Sequence, residues 1–221
     1  ATYTNATLAN NDAVNCVMTS SLTCTTGNPA TSNTVTMTVN PSQPVSVNIA
    51  ASATTICTGT SVTFTATPTN GGTTPVYQWY VGLTPVGSNS ATYTTSTLAN
   101  GDVVTCVITS NASCATGSPA TSNAINMTVN ANLPVSATIA ATPSGAVCSG
   151  TSVLFTATPV NGGGAPTYAW YLNGGFTGTG ATYTNVAPVN GDQVYCIVTS
   201  NATCVSGNPA TSNTLAIAVD A

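Results

Sequence analysis

The chain has 221 residues, of which 42 % are apolar and 2 % charged, with no Lys, Arg or His and only four acids, Asp12, Asp102, Asp192 and Asp220. Acid–base catalysis near neutral pH draws on His, a raised carboxylate or a depressed Lys, and nucleic acids and anionic lipid surfaces are gripped through Lys and Arg. The composition therefore argues against an enzyme, a nucleic acid partner and a polybasic membrane anchor, while apolar content without charge is the opposite of a disordered composition.

The first 24 residues, ATYTNATLANNDAVNCVMTSSLTC, return at 91–114 as ATYTTSTLANGDVVTCVITSNASC and at 181–204 as ATYTNVAPVNGDQVYCIVTSNATC. The period is 90 residues. A second segment, PVSVNIAASATTICTGTSVTFTATPTNGG from Pro44, returns as PVSATIAATPSGAVCSGTSVLFTATPVNGG from Pro134. A period of this size marks a tandem array of domains. The units are 44–133 and 134–221, preceded by 1–43, which matches only the second half of a unit. Such a half is expected to belong to an array longer than this sequence; the alternative is that a neighbouring molecule supplies the missing strands.

Within a unit, runs rich in Val, Ile, Thr and Tyr alternate with period two between Gly, Pro and Asn clusters, the pattern of an all-β sandwich. SVTFTATP points Val62, Phe64 and Ala66 inward, and VYQWYVG points Tyr77, Trp79 and Val81 inward and Tyr80 outward. The following unit repeats this with Val153, Phe155 and Ala157, then Tyr168, Trp170 and Leu172. The segments TPTNGGTTP and TPVNGGGAP carry the Pro and Gly chemistry of turns. DVVTCVITS then places Val104, Cys106 and Ile108 on one face, and AINMTVN closes the unit at about seven strands. The linkers VNPSQP and VNANLP each hold a Pro that limits bending.

A strand with a central Trp, followed by an Asp four residues before a Cys on a later strand, resembles the immunoglobulin pattern. More closely, CTGTSVTFTATPTNGGTTPVYQW, TLANGDVVTCVITSNASC and GSPATSNAINMTVN resemble the Ig-like or PKD-like repeats of secreted surface proteins of Bacteroidota, including large adhesins exported by the type IX pathway. The resemblance implies tandem immunoglobulin-like β-sandwich domains in an extracellular, cell-surface setting. It departs from antibody domains where Val14, Val104 and Val194 replace the tyrosine of the tyrosine corner, and where Cys57 and Cys148 precede their strand.

The eight Cys, with no His beside them, argue against mixed-ligand zinc sites and for disulfides in an oxidising compartment; no metal, cofactor or catalytic residue is assigned. The disulfide candidates are Cys16 and Cys24 in the half unit, Cys57, Cys106 and Cys114 in the next, and Cys148, Cys196 and Cys204 in the last. In an immunoglobulin topology the strand after Cys57 and the strand holding Cys106 run the same way, which makes Cys57 with Cys106 the preferred pair. Cys106 with Cys114 across a hairpin is an alternative. So is a bridge from Cys204 to Cys57 of the preceding unit, which would staple the array.

Asp12, Asp102 and Asp192 follow Asn-Asn or Asn-Gly and are read as turn carboxylates that accept backbone N–H bonds. One Asp per unit is too few for calcium. Tyr80, Tyr171 and Phe176 are candidate contact aromatics. The function expected is a structural or adhesive repeat segment of a surface protein or filament, the alternative being a carbohydrate-binding module. Its partners would be neighbouring repeats, other copies in a fibre and surface polysaccharide. No stretch approaches the ~18 apolar residues of a membrane-spanning helix.

Overall fold

The computed structural model describes residues 1–220, which form strands and turns and, among the described residues, no helix. The backbone gathers into two compact units, one of residues 1–50, 65–92 and 105–124, the other of 51–64, 93–104 and 125–221.

The second unit contains a complete sandwich. Ser136–Thr142, Val153–Val160 and Thr182–Asn185 form an antiparallel three-stranded sheet. The facing sheet runs Gly175–Thr179, Thr167–Leu172, Gln193–Thr199 and Ala210–Thr211, with Leu215–Ala216 pairing further along Gln193–Thr199. The alternation of apolar residues turns one side of each strand toward the other sheet. Ile139, Val153, Phe155, Trp170, Val194, Cys196, Val198 and Ile217 fill the space between them. Trp170 and Phe155 are fully buried, Tyr183 stacks on both rings, and the Trp170 indole N–H donates to Gly180 O at 2.8 Å. Full burial of a tryptophan needs such a partner for its N–H.

The same two strand orders recur over residues 46–126. Val62, Phe64, Trp79, Val104, Cys106 and Ile108 are fully buried there, on the faces the alternation assigns. The chain is thus all-β and built of tandem immunoglobulin-like β-sandwich repeats. Where the turn after Val153–Val160 comes closest to its neighbour, Gly163 sits at φ +81°, and a Cβ there would meet Ala202 N at 2.6 Å as well as the Asn201 side chain. Only glycine satisfies both demands.

Residues 1–43, in the first unit, form among the described residues two short antiparallel pairs, Ala13–Val14 with Val35–Thr36 and Val17–Met18 with Ala30–Thr31, while Gln43 pairs in parallel with Ala115. The residues that these strands would bury stay open, Met18 at 62 % and Val35 at 53 % exposure.

Candidate functional site

Cys57 and Cys204, 147 residues apart and in successive sequence repeats, form a disulfide with their Cα atoms 5.2 Å apart, inside the ordinary span for such a bond. Both lie in the second compact unit. The connecting segment 130–134 brings them together by hydrogen bonding on both sides. Thr55–Cys57 pairs in parallel with Thr128–Asn130, and Thr58 N and Oγ1 both donate to Asn130 O, at 2.9 and 3.1 Å. Asn132 Nδ2 then donates to Thr58 O at 3.1 Å. Leu133 N donates to Cys204 O at 2.7 Å, and Leu133–Pro134 continues in parallel with Val205–Ser206. One stretch of chain is therefore bonded first to the neighbourhood of Cys57 and then to that of Cys204, which places the two sulfurs side by side. Cys204 adopts φ +56°, which turns the loop so that its side chain meets Cys57.

This corrects the preferred pairing of Cys57 with Cys106. Period-two alternation along Val103–Thr109 drives the Cys106 side chain between the sheets, where it is fully buried as a thiol, while Cys57 lies at the strand end beside the connecting segment. The hairpin pairing of Cys106 with Cys114 fails for the same reason, since Cys114 is exposed in the loop. Cys196 is likewise a buried thiol, and Cys16, Cys24, Cys114 and Cys148 are exposed thiols. Burial pushes the Cys106 thiol up to about 11, against a smaller downward pull from the backbone at Gln78, and raises Cys196 for the same first cause. A thiol that resists ionising is a poor nucleophile.

Each of the three repeated aspartates closes its turn as a carboxylate acceptor. Ala9 N donates to Asp12 at 2.7 Å, Ala99 N to Asp102 at 2.8 Å and Val189 N to Asp192 at 2.9 Å. Asp192 is buried and also accepts from Asn173 at 2.8 Å and Asn185 at 3.2 Å. The Val189 N–H above all, with the two Asn amides, holds its carboxyl below the ordinary range despite the opposing effect of burial. Among the described residues, no three of His, Cys, Asp and Glu gather as a metal set.

The aromatic candidates separate. Tyr171 stacks face to face on Tyr195, with centroids 5.0 Å apart, and meets Phe176 edge-on at 6.0 Å. Phe176 is 62 % exposed. Tyr80 faces Pro85 across its strand pair, where Tyr171 faces Phe176. Sequence reasoning missed Tyr195. The signal was available: Tyr195 replaces Thr105 of the preceding repeat, at an outward position on the strand next to Tyr171.

No protein-family profile matches the sequence, and no curated protein does. Solved structures with a similar trace include the three N-terminal domains of the bacteriophage RB49 highly immunogenic outer capsid protein, at 15 % identity and TM-score 0.35, covering 79 % of this chain and 59 % of that one. The four N-terminal Ig domains of Dscam1 isoform 6.9 align at 16 % identity and TM-score 0.35, over 82 % of this chain and 45 % of theirs. Fibronectin(III)-like modules of Clostridium thermocellum CbhA align at 16 % identity and TM-score 0.33, over 77 % and 92 %. The chain therefore spans about three-fifths of the first structure and less than half of the second.

Proposed function

We propose that this chain is a load-bearing segment of an extracellular surface protein or filament, of the secreted Bacteroidota adhesin type that its repeats resemble, and that it performs no catalysis. The repeats 1–43, 44–133 and 134–221 would be its mechanical units. The observation that carries this reading is the Cys57–Cys204 bond between successive repeats. A disulfide of this kind belongs to an oxidising compartment. It also removes the chain between its ends from extension under load, so that pull on one repeat passes to the next through a covalent bond.

Single-molecule force extension of the full chain, with and without a reducing agent, tests this. The 147-residue separation corresponds to ~500 Å of extended chain. That length should be missing from the unfolding record of the oxidised protein and appear on reduction. Equal extension in both states would end the mechanical reading.

A second reading rests on the Tyr171, Tyr195 and Phe176 cluster, a partly exposed aromatic surface on which a sugar ring could stack. Titration with a panel of surface polysaccharides, comparing the native chain with Tyr195→Thr, decides it. Saturable binding lost in the variant would favour a carbohydrate module over a purely mechanical one.

A further inference from the structure

Cys106 and Cys196 occupy one position in successive repeats, and both are thiols fully buried between their sheets. Each donates its S–H to the carbonyl of the following residue, at 3.9 Å to Val107 O and 3.7 Å to Ile197 O. In the packing they act as small apolar side chains, in line with Val194 and Val198 on either side of Cys196. What a valine there would lack is a sulfur close in sequence to a disulfide: Cys196 precedes Cys204 by eight positions, and Cys204 is bonded to Cys57.

The folded sandwich keeps the two sulfurs apart. Gln193–Thr199 runs three residues beyond Cys196 before the loop begins, which is ~10 Å of strand. The loop is then tied down at its start. Ser200 N donates to Asn208 Oδ1 at 2.8 Å, Asn208 Nδ2 returns a bond to Ser200 O at 3.0 Å, and Ser200 Oγ donates to Asn161 O at 2.7 Å. At its far end Leu133 N holds Cys204 O at 2.7 Å. Cys204 therefore meets Cys57 outside the core while Cys196 faces into it, and all three cysteines belong to the second compact unit. Burial also raises the Cys196 thiol and so suppresses the thiolate through which sulfurs exchange. Every one of these restraints belongs to the folded sandwich, and none survives its unfolding.

We propose that Cys196 is a built-in release for the Cys57–Cys204 bond, masked while the sandwich is folded and set free when the strand Gln193–Thr199 leaves it. The Cys196 thiolate then attacks Cys204 Sγ in line with the existing bond. The Cys196–Cys204 bond forms, the Cys57–Cys204 bond breaks, and Cys57 leaves as a thiolate. One proton departs from Cys196 and one is taken up by Cys57, so the exchange needs neither oxidant nor reductant. Its result is to move the disulfide from between successive repeats into a short loop, which frees the chain between Cys57 and Cys204. Attack by Cys106 on Cys57 is the competing route, but it closes a separation of 49 residues instead of eight, and loop-closure scaling makes it about fifteenfold slower. The exchange rests on the disulfide and the buried thiol, whether or not the chain bears load. Uncatalysed rearrangement takes minutes to hours, so a rapid first pull on the oxidised chain still finds the original bond closed.

The test uses the full oxidised chain. Its exposed thiols, Cys16, Cys24, Cys114 and Cys148, are first blocked with N-ethylmaleimide in native buffer, and the reagent is removed. The chain is then held in urea at mildly alkaline pH, quenched in acid at intervals, and its disulfides are mapped by mass spectrometry after digestion with pepsin, since it has no Lys or Arg for trypsin to cut at. The expected result is that Cys106 and Cys196 escape the first label, and that in urea the Cys57–Cys204 bond gives way to Cys196–Cys204 with Cys57 as a free thiol. Cys196→Ala should slow the loss of the Cys57–Cys204 bond by about tenfold or more. Because both chains are compared unfolded, a weaker fold in the variant does not alter that reading. Loss of the bond at the same rate in Cys196→Ala would overturn the inference, and so would equally fast loss in native buffer or capture of Cys196 by the first label. Failure of the mechanical reading would show in the force record and leave this result standing.

Discussion

Residues 1–24 and 181–204 are near copies in sequence and opposites in environment. In the later copy Val194, Cys196 and Val198 are fully buried and Tyr183 stacks on Phe155 and Trp170. In the earlier copy Cys16 is exposed, Met18 is 62 % exposed and Tyr3 72 %. Alternation determines which face of a strand can be buried, but burial itself is supplied by the sheet opposite, and 134–180 supplies it only to the later copy. The largest effect that tests this contrast is at the cysteines. Removing the Cys57–Cys204 bond as Cys57→Ser should lower stability by up to about 5 kcal/mol on the chain-entropy estimate for so long a loop, read as a fall in the urea midpoint of tryptophan fluorescence under oxidising conditions. Cys24→Ser, at the position equivalent to Cys204 but unbonded, should leave the midpoint where it is. A matching fall would mean that the earlier copy is tied down after all.

One step down in size, Ile108→Ala empties a fully buried position and should cost about 2–5 kcal/mol. Met18→Ala, at the same repeat position, should change stability by less than about 0.5 kcal/mol, as surface substitutions do. Urea titration of both variants checks the pair. A large cost at Met18 would mean that its side chain is covered in solution.

Asn33 and Asn213, at one repeat position, give a smaller contrast of the same kind. Asn213→Ala leaves both the N–H and C=O of Ile139 without their partner, a loss of about 1–3 kcal/mol. It should appear as faster hydrogen exchange at Ile139. Asn33→Ala in the free chain should change nothing measurable, and any destabilisation would show that Asn33 is already engaged.

Most of the fold was legible because the sandwich is written locally. Val62, Phe64 and Ala66 alternate into the core as their spacing indicates, and the three aspartates close turns with the N–H three residues back. The disulfide was less legible. Cys57 with Cys204 was one of three pairings open to the sequence, and the one favoured, with Cys106, was wrong, because choosing needs the path of segment 130–134, which depends on long-range hydrogen bonds such as Leu133 N to Cys204 O. Asn33, Asn123 and Asn213 passed unnoticed since an Asn after Thr-Ser reads as an ordinary loop residue until its partner strand is in place.

Asp192 offers the finest distinction, since its turn recurs three times with different support. Asp12 and Asp102 share the backbone donor, but the donors Asn173 and Asn185 stand where the preceding repeat has Gly82 and Thr95. The folded state holds the Asp192 carboxyl below its ordinary value, so the stability it contributes is present above the unfolded value, ~3.9 for an aspartate, and is lost as pH falls through the lower folded value. Acid should therefore weaken the fold below about pH 4 partly through this group. Thermal unfolding followed from pH 7 down to pH 2 should show a shallower acid-side fall for Asp192→Asn than for the native chain, with a slightly lower melting temperature at neutral pH. The double change Asn173→Gly with Asn185→Thr restores the neighbours of the preceding repeat and should give part of the same flattening, because the Val189 N–H remains. If Asp192→Asn kept the full native acid slope, the buried carboxylate would not be what acid attacks, and the two added asparagines would be packing residues without an electrostatic role.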